Sequence, residues 1–148
     1  MSILKANTQK GKIFFALGAQ MIIFNDQQEI LLCHRTDKDL WNFPGGAVEP
    51  NETPLEAAFR ETKEEIGVEA MATKFLGTYI KPHKNDVMFS FLGKITGGRL
   101  TVSDEADKIE YFSVQNLPTN FSPHQRERIQ DALNNHPEAI FKKQMPYE

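Results

Sequence analysis

Three glutamates, Glu61, Glu64 and Glu65, stand at positions i, i+3 and i+4 of a stretch with helical character. In a helix that spacing brings the three carboxylates within reach of a common point. Glu61 and Glu65 repel each other across one turn, and a shared cation would remove the repulsion. Hard oxygen donors of this kind suit Mg²⁺ or Mn²⁺, with water and substrate phosphate completing the coordination. A solvated helix face would carry the same three residues, so the spacing alone leaves both readings open.

The helix that must position them has both ends specified. Thr53-Pro54-Leu55-Glu56 joins a capping box, threonine with glutamate three residues on, to proline at the first helical position. Gly67 is suited to a left-handed C-terminal cap. A helix is therefore predicted from about Pro54 to Ile66. At about 100° per residue, Leu55, Phe59, Thr62 and Ile66 form the stripe that packs on a sheet. The glutamates fall on the opposite side, beside Arg60 and Ala57.

From Gly46 to Val68 the order is Gly46, five residues, Glu52, seven residues, then Arg60-Glu61-Thr62-Lys63-Glu64-Glu65-Ile66-Gly67-Val68. This resembles the box of the Nudix (MutT-like) hydrolase family at the family's spacing. Thr62 departs from it, standing where the family has an aliphatic residue on the packing stripe. Phe43-Pro44-Gly45-Gly46 resembles the loop leading into the box, and Ile109 to Pro118 resembles a late strand and turn. The resemblance covers about residues 14 to 135.

That resemblance implies an α/β/α sandwich around a mixed β-sheet, one domain over residues 1–148 with its box at 46–68. It implies Mg²⁺-dependent cleavage of a phosphoanhydride bond, with Mn²⁺ a substitute. Glu61, Glu64 and Glu65 are then the metal ligands, joined by the Gly46 carbonyl. Arg60 and Glu52 form a salt bridge that orients them. A diphosphate bridge repels water, so cations must neutralise phosphate oxygens and acidify the nucleophile. A carboxylate takes the proton: Glu61 or Glu64, with Glu105 a further ligand or base. An exposed acid in the run Asp104 to Asp107 is the plainer reading of Glu105.

Trp41 and Phe43 could stack on a base, although core packing suits Phe43 equally. Arg35 ends a strand near the expected phosphate side. Gly45 lets backbone approach the phosphates. Pro82 stands where ADP-ribose-cleaving relatives place a proline, and His83 and Lys84 follow it as phosphate contacts or plain loop. The expected substrate is a nucleoside diphosphate joined to a second group, ADP-ribose ahead of an oxidised nucleoside triphosphate. The alternative is a regulatory module that binds a nucleotide without cleaving it. Such modules commonly lose box glutamates, and here all are present. Some relatives dimerise, so a homodimer is a further expectation.

Beyond the box, Ile13 to Phe24 reads as a strand interrupted at Gly18, followed by a turn at Asn25 to Gln28 and a return strand from Glu29 to His34. Phe75 to Lys81, Val87 to Ile95 and Ile109 to Val114 are further strand candidates. Gly97-Gly98 predicts a hairpin turn into Arg99 to Val102. A second helix is expected from about 122 to 135, capped by Ser122-Pro123 and stopped before Pro137.

The 148 residues, 40% hydrophobic and 25% charged, suit one globular domain. A net charge of −3 gives no basic face for duplex nucleic acid. Cys33 is the only cysteine, which excludes an intrachain disulfide and fits a reducing compartment. Lys5, Asn7, Thr8, Gln9, Lys10 and Lys12 interrupt any signal-peptide pattern, and no apolar run is long enough for a bilayer. A cytoplasmic protein without membrane attachment is expected.

Overall fold

A computed structural model describes residues 8, 9 and 11–147. Residues 1–7 and 10, part of the stretch that lacks a leader pattern, lie outside the described residues. Two short strands, β1 (Thr8–Gln9) and β2 (Lys12–Ile13), pair antiparallel ahead of the main body. The long apolar stretch then forms β3 (Ala16–Ile23), in which only Leu17 is exposed. Near-continuous burial follows from cover on both faces. The strand passes through Gly18 unbroken, contrary to the expected interruption, because Gly18 pairs with strand residues on either side.

The turn after β3 closes as expected. The Asn25 carboxamide oxygen accepts from the backbone N–H groups of Gln27 and Glu29, at 3.0 and 2.9 Å. The chain returns as β4 (Ile30–Arg35), then β5 (Trp41–Asn42) and β6 (Gly45–Ala47). Helix α1 (Pro54–Ile66) has the predicted bounds and caps: Thr53 and Glu56 form the reciprocal capping box. Gly67 closes it at φ 79°, its N–H reaching Lys63 O at 2.9 Å.

Strand β7 (Val68–Lys81) is longer than expected and turns through a 3₁₀ segment, Pro82–Lys84, into β8 (Asp86–Gly98). No hairpin forms at Gly97-Gly98. These glycines pair with Glu69 and Val68 at the end of β8, and Thr101 donates its N–H to the last helical carbonyl, Ile66 O, at 2.9 Å. Capping α1 thus replaces strand pairing for residues 99–102. After β9 (Ala106–Phe112), Ser122 caps α2 (Pro123–Leu133), which stops two residues short of the expected end. The tail adds β10 (Ile140–Lys143), parallel to β7.

The strands form a five-stranded mixed sheet, in the order β10-β7-β8-β3-β6, and a three-stranded antiparallel sheet, β5-β4-β9. Alternation along β3 and β4 divides two cores. Ala19, Met21, Leu31 and Cys33 pack with Ala57, Ala58 and Ile66 of α1. Ile22, Ile30 and Leu32 pack with Trp41, Phe43, Phe121 and Ile129, the last from α2. Each fully buried Ile or Leu contributes about 1.5–3 kcal/mol. The chain is an α/β/α sandwich about a mixed sheet. Among the described residues, no helix is long and apolar enough to cross a membrane.

Candidate active site

The buried arc of α1 is wider than the expected stripe, and displaced. Ala57, Ala58, Thr62, Glu65 and Ile66 are buried, while Leu55 and Phe59 are only partly covered. The small Ala57 and Ala58 let the helix approach β3 closely, so the inward arc is centred on them. Glu65 therefore faces inward rather than lying on a solvated side, and Glu61 stands at the edge of the same arc. Glu64 lies beyond it: its side chain is 53% exposed, against 12% for Glu61.

Glu61 and Glu65 meet a third carboxylate. Oxygens of Glu61, Glu65 and Glu105 all lie within 4.8 Å of one another. Glu105 comes from the loop before β9, and Ser103 ties that loop to the helix. Its hydroxyl donates to Glu65 O at 2.8 Å and accepts from the N–H groups of Glu105 and Ala106 at 3.3 and 3.2 Å. Thr36, just past β4, secures the other side through Asp104 O (2.7 Å) and Glu105 O (3.2 Å).

The cluster concentrates negative charge in a partly dry place. Burial, then the charges of Glu61 and Glu105, push the Glu65 carboxyl up to about 8. Burial also raises Glu61, opposed by Arg60. Cys33, buried as expected of a lone thiol, donates its S–H to Glu65 at 3.6 Å, and burial pushes the thiol well up.

Arg60 organises the outer side of α1. Its Nε and Nη2 clasp Glu52 at 3.0 and 2.7 Å, and Nη2 also reaches Ala47 O at 3.1 Å. Nη1 donates to Glu61 at 3.0 Å and to Glu64 at 3.2 Å. Arg60 thus joins the loop before α1 to the cluster and also holds Glu64, which is not one of the three clustered carboxylates. Glu52 is held low by that guanidinium. Gly46, in β6, runs against Glu61.

Beside the cluster opens a cavity of about 380 Å³, walled by both sheets, α1 and α2. Among the expected substrate residues, Arg35, Phe43 and Gly45 line it. Arg35 is clasped by Asp37 at 2.7 and 2.5 Å. Phe43, 3% exposed, packs edge-on to Phe121 and also serves the core. Trp41 does not line the cavity. It is wedged edge-on against Phe112 and His34 in the core, which removes it as a stacking platform. Pro82, His83 and Lys84 form an exposed turn outside the lining.

Sequence reasoning missed the far wall: Tyr79, Lys81, Asp86, Gln125 and Arg128. Burial, then Arg128 and Lys84, holds Lys81 down to about 8, and burial holds Arg128 down to about 10. Only the alternation of β7 and the spacing of α2 could have signalled these residues, and neither separates a cavity wall from a core.

Fold and site together define an α/β/α-sandwich enzyme with a carboxylate cluster at the edge of a two-sheet cavity. A family model described as NUDIX domain matches residues 15–132. A Bacillus subtilis (strain 168) protein named "Putative 8-oxo-dGTP diphosphatase" is 37% identical over 121 residues, covering 81% of each chain. An ADP-ribose pyrophosphatase of Methanocaldococcus jannaschii is 30% identical over 132 residues, covering 84% of this chain and 78% of its own. A NUDIX hydrolase structure from Nitrosomonas europaea superposes with a TM-score of 0.75 at 20% identity, covering 91% of this chain and 83% of its own. The chain belongs to the Nudix family and is a pyrophosphohydrolase, cleaving phosphoanhydride bonds.

Proposed function

We propose that the chain is a divalent-metal-dependent hydrolase of a nucleotide, with the phosphoanhydride at the Glu61–Glu65–Glu105 cluster and the nucleoside in the adjoining cavity. The observation that carries this is the convergence of the three carboxylates within 4.8 Å. Three carboxylates whose like charges repel suit a hard cation such as Mg²⁺ or Mn²⁺, which removes the repulsion. When bound, the cation supplies neutralisation of phosphate oxygens and an acidified water.

The protein's own residues supply position. Glu65 and Glu105 would hold the ion from helix and loop, with the Gly46 carbonyl as a further oxygen. Glu61, steered by Arg60, receives the proton of the attacking water. Glu64 would join on leaving Arg60, an exposed contact in high dielectric worth little. Phe43 and Gly45 wall the cavity and limit water beside the reacting bond.

Two substrate classes remain in play. The aromatic argument for ADP-ribose rests now on Phe43 alone, since Trp41 is core, and the relative with the higher identity is named for an oxidised nucleoside triphosphate. We place the triphosphate first. Product release from ADP-ribose, dinucleoside polyphosphates, 8-oxo-dGTP and capped RNA, with Mg²⁺ and with excess EDTA, tests the reading. Turnover of a nucleotide that stops with chelator is expected; full turnover in EDTA overturns it. A homodimer and a cytoplasmic location complete the proposal, checked by light scattering and cell fractionation.

A further inference from the structure

The far wall of the cavity holds charges that the phosphoanhydride chemistry does not use. Lys81 on β7 and Asp86 on β8 are register partners across the two strands, and both line the cavity. Cross-strand neighbours of opposite charge commonly close into a pair. Here, among the described residues, neither side chain forms an ion pair.

Arg128 of α2 is stranger. It is 2% exposed, yet its Nε and Nη2 both go to one neutral acceptor, Gln144 Oε1, at 3.1 and 2.6 Å. Its guanidinium lies 4.9 Å from the Tyr79 ring centre. The nearby carboxylates are engaged elsewhere: Asp131 by Tyr79 and Lys142, Glu127 by Gln144 and Lys142. Nη1 has no hydrogen-bond partner among the described residues, and the residue opens on the cavity. A buried guanidinium ordinarily needs a carboxylate or a full set of acceptors to offset its desolvation. Arg128 lacks both, and the cavity is where a missing acceptor would come from.

Building on the nucleotide reading above, we infer that Lys81, Asp86 and Arg128 form a base-reading subsite for the lactam edge of a keto purine, guanine or an oxidised guanine. A lactam sets a carbonyl oxygen beside an N–H. Two cationic donors suit the carbonyl oxygen, an acceptor that Arg and Lys favour on guanine. The Asp86 carboxylate accepts from the ring N–H. Adenine would turn an amino donor toward the two cations. A second phosphate would meet Asp86 with like charge.

The span is suitable as well. Gly46 on β6 and the far wall on β7 are separated by β3 and β8, three strand spacings or about 14 Å. That is of the order of a nucleoside 5′-phosphate laid across the sheet, with its phosphates at the carboxylates.

The test compares kcat/KM for dGTP and dATP in the wild type, Asp86→Asn and Lys81→Met, with thermal melting to confirm folding. The wild type should favour dGTP by at least about tenfold, the size of one good base contact, and each variant should cut that ratio severalfold or more. A wild type that favours dATP, treats both alike, or keeps its ratio in both variants overturns the inference. If no nucleotide is hydrolysed, the nucleotide-hydrolase reading falls by itself. Calorimetric binding of GDP against ADP then tests the subsite separately, and equal affinity overturns it.

Discussion

The α-carbon of Gly46 stands so close to Glu61 that a Cβ placed on it would lie 2.5 Å from the carboxyl carbon and 2.6 Å from Oε1. Real Cβ atoms do not approach so closely. Glycine is needed here because the carboxylate occupies that space, and Arg60 holds the carboxylate from the other side at 3.0 Å. Gly46→Ala should therefore displace Glu61 and lower kcat by at least about tenfold, as loss of supporting geometry does. Secondary structure should be retained, because β6 is a short edge strand. Wild-type kcat in Gly46→Ala would show that the position of Glu61 does not matter.

Replacing the box carboxylates separates ligands from neighbours. Glu65→Gln keeps the size and removes the charge, and a loss of roughly 10²–10⁵ in kcat/KM is expected. Glu64→Gln should fall in the same range if Glu64 moves from Arg60 to the cation during turnover. The check is kcat/KM of both variants with Mg²⁺ and Mn²⁺ titrations. A Glu64→Gln enzyme within twofold of wild type would mean that the carboxylate stays where the structure has it, on Arg60.

Arg60 and Glu52 act through others, so their loss should cost less. Arg60→Lys cannot hold the clasp on Glu52 while also reaching Glu61 and Ala47, because an ammonium lacks the planar fork. About 10- to 100-fold in kcat is expected for Arg60→Lys and Glu52→Gln, with a raised Mg²⁺ requirement. A loss from Arg60→Lys larger than that from Glu65→Gln would mean that Arg60 matters more to turnover than a carboxylate of the cluster.

Both ends of α1 were legible because each cap is a local event: Thr53, Pro54, Glu56 and Gly67 act within one turn of the helix. The salt bridge of Arg60 with Glu52 was legible only through resemblance. What escaped was set by distant contacts. Helical periodicity placed Glu65 with the solvated residues, but Ala57 and Ala58 shift the inward arc until Glu65 is inside. Trp41 is as suited to stacking on a base as to a core, and the neighbours Phe112 and His34 decide for the core. Arg128 carries no signal of its own, since its burial depends on Gln144, just past the tail strand β10 and outside the recognised region.

Ser103 was also missed, and it binds the loop carboxylate to the helix. Ser103→Ala removes the acceptor for two N–H groups and the donor to Glu65 O. A stability loss of about 1 kcal/mol is expected from the hydrogen bonds, measured by urea unfolding. Activity should fall further than that, because Glu105 loses its anchor; we expect a lower kcat and a raised Mg²⁺ requirement. Unchanged Mg²⁺ dependence would show that Glu105 does not take part in holding the cation.

His34 gives the stability a pH dependence of its own. Its Nδ1 lies 2.7 Å from Asp107 and its Nε2 2.8 Å from Asp39, so one imidazole bridges two carboxylates. Both ring nitrogens can donate only when the ring is protonated. The hydrogen bonds to Asp39 and then Asp107 raise its pKa above the ordinary 6.5, against burial and Lys108, which lower it. Folding therefore favours the protonated ring. The stabilisation is complete below pH about 6.5 and is lost as pH rises through the folded pKa. His34→Asn removes the titration, so the difference in unfolding free energy from wild type should shrink as pH rises from 6.5 through the raised folded pKa. The exposed carboxylates keep the effect modest, since water and salt screen them. Urea titrations of both proteins across that range check the sign: a difference that grows with pH would mean that the ring is neutral in the folded protein.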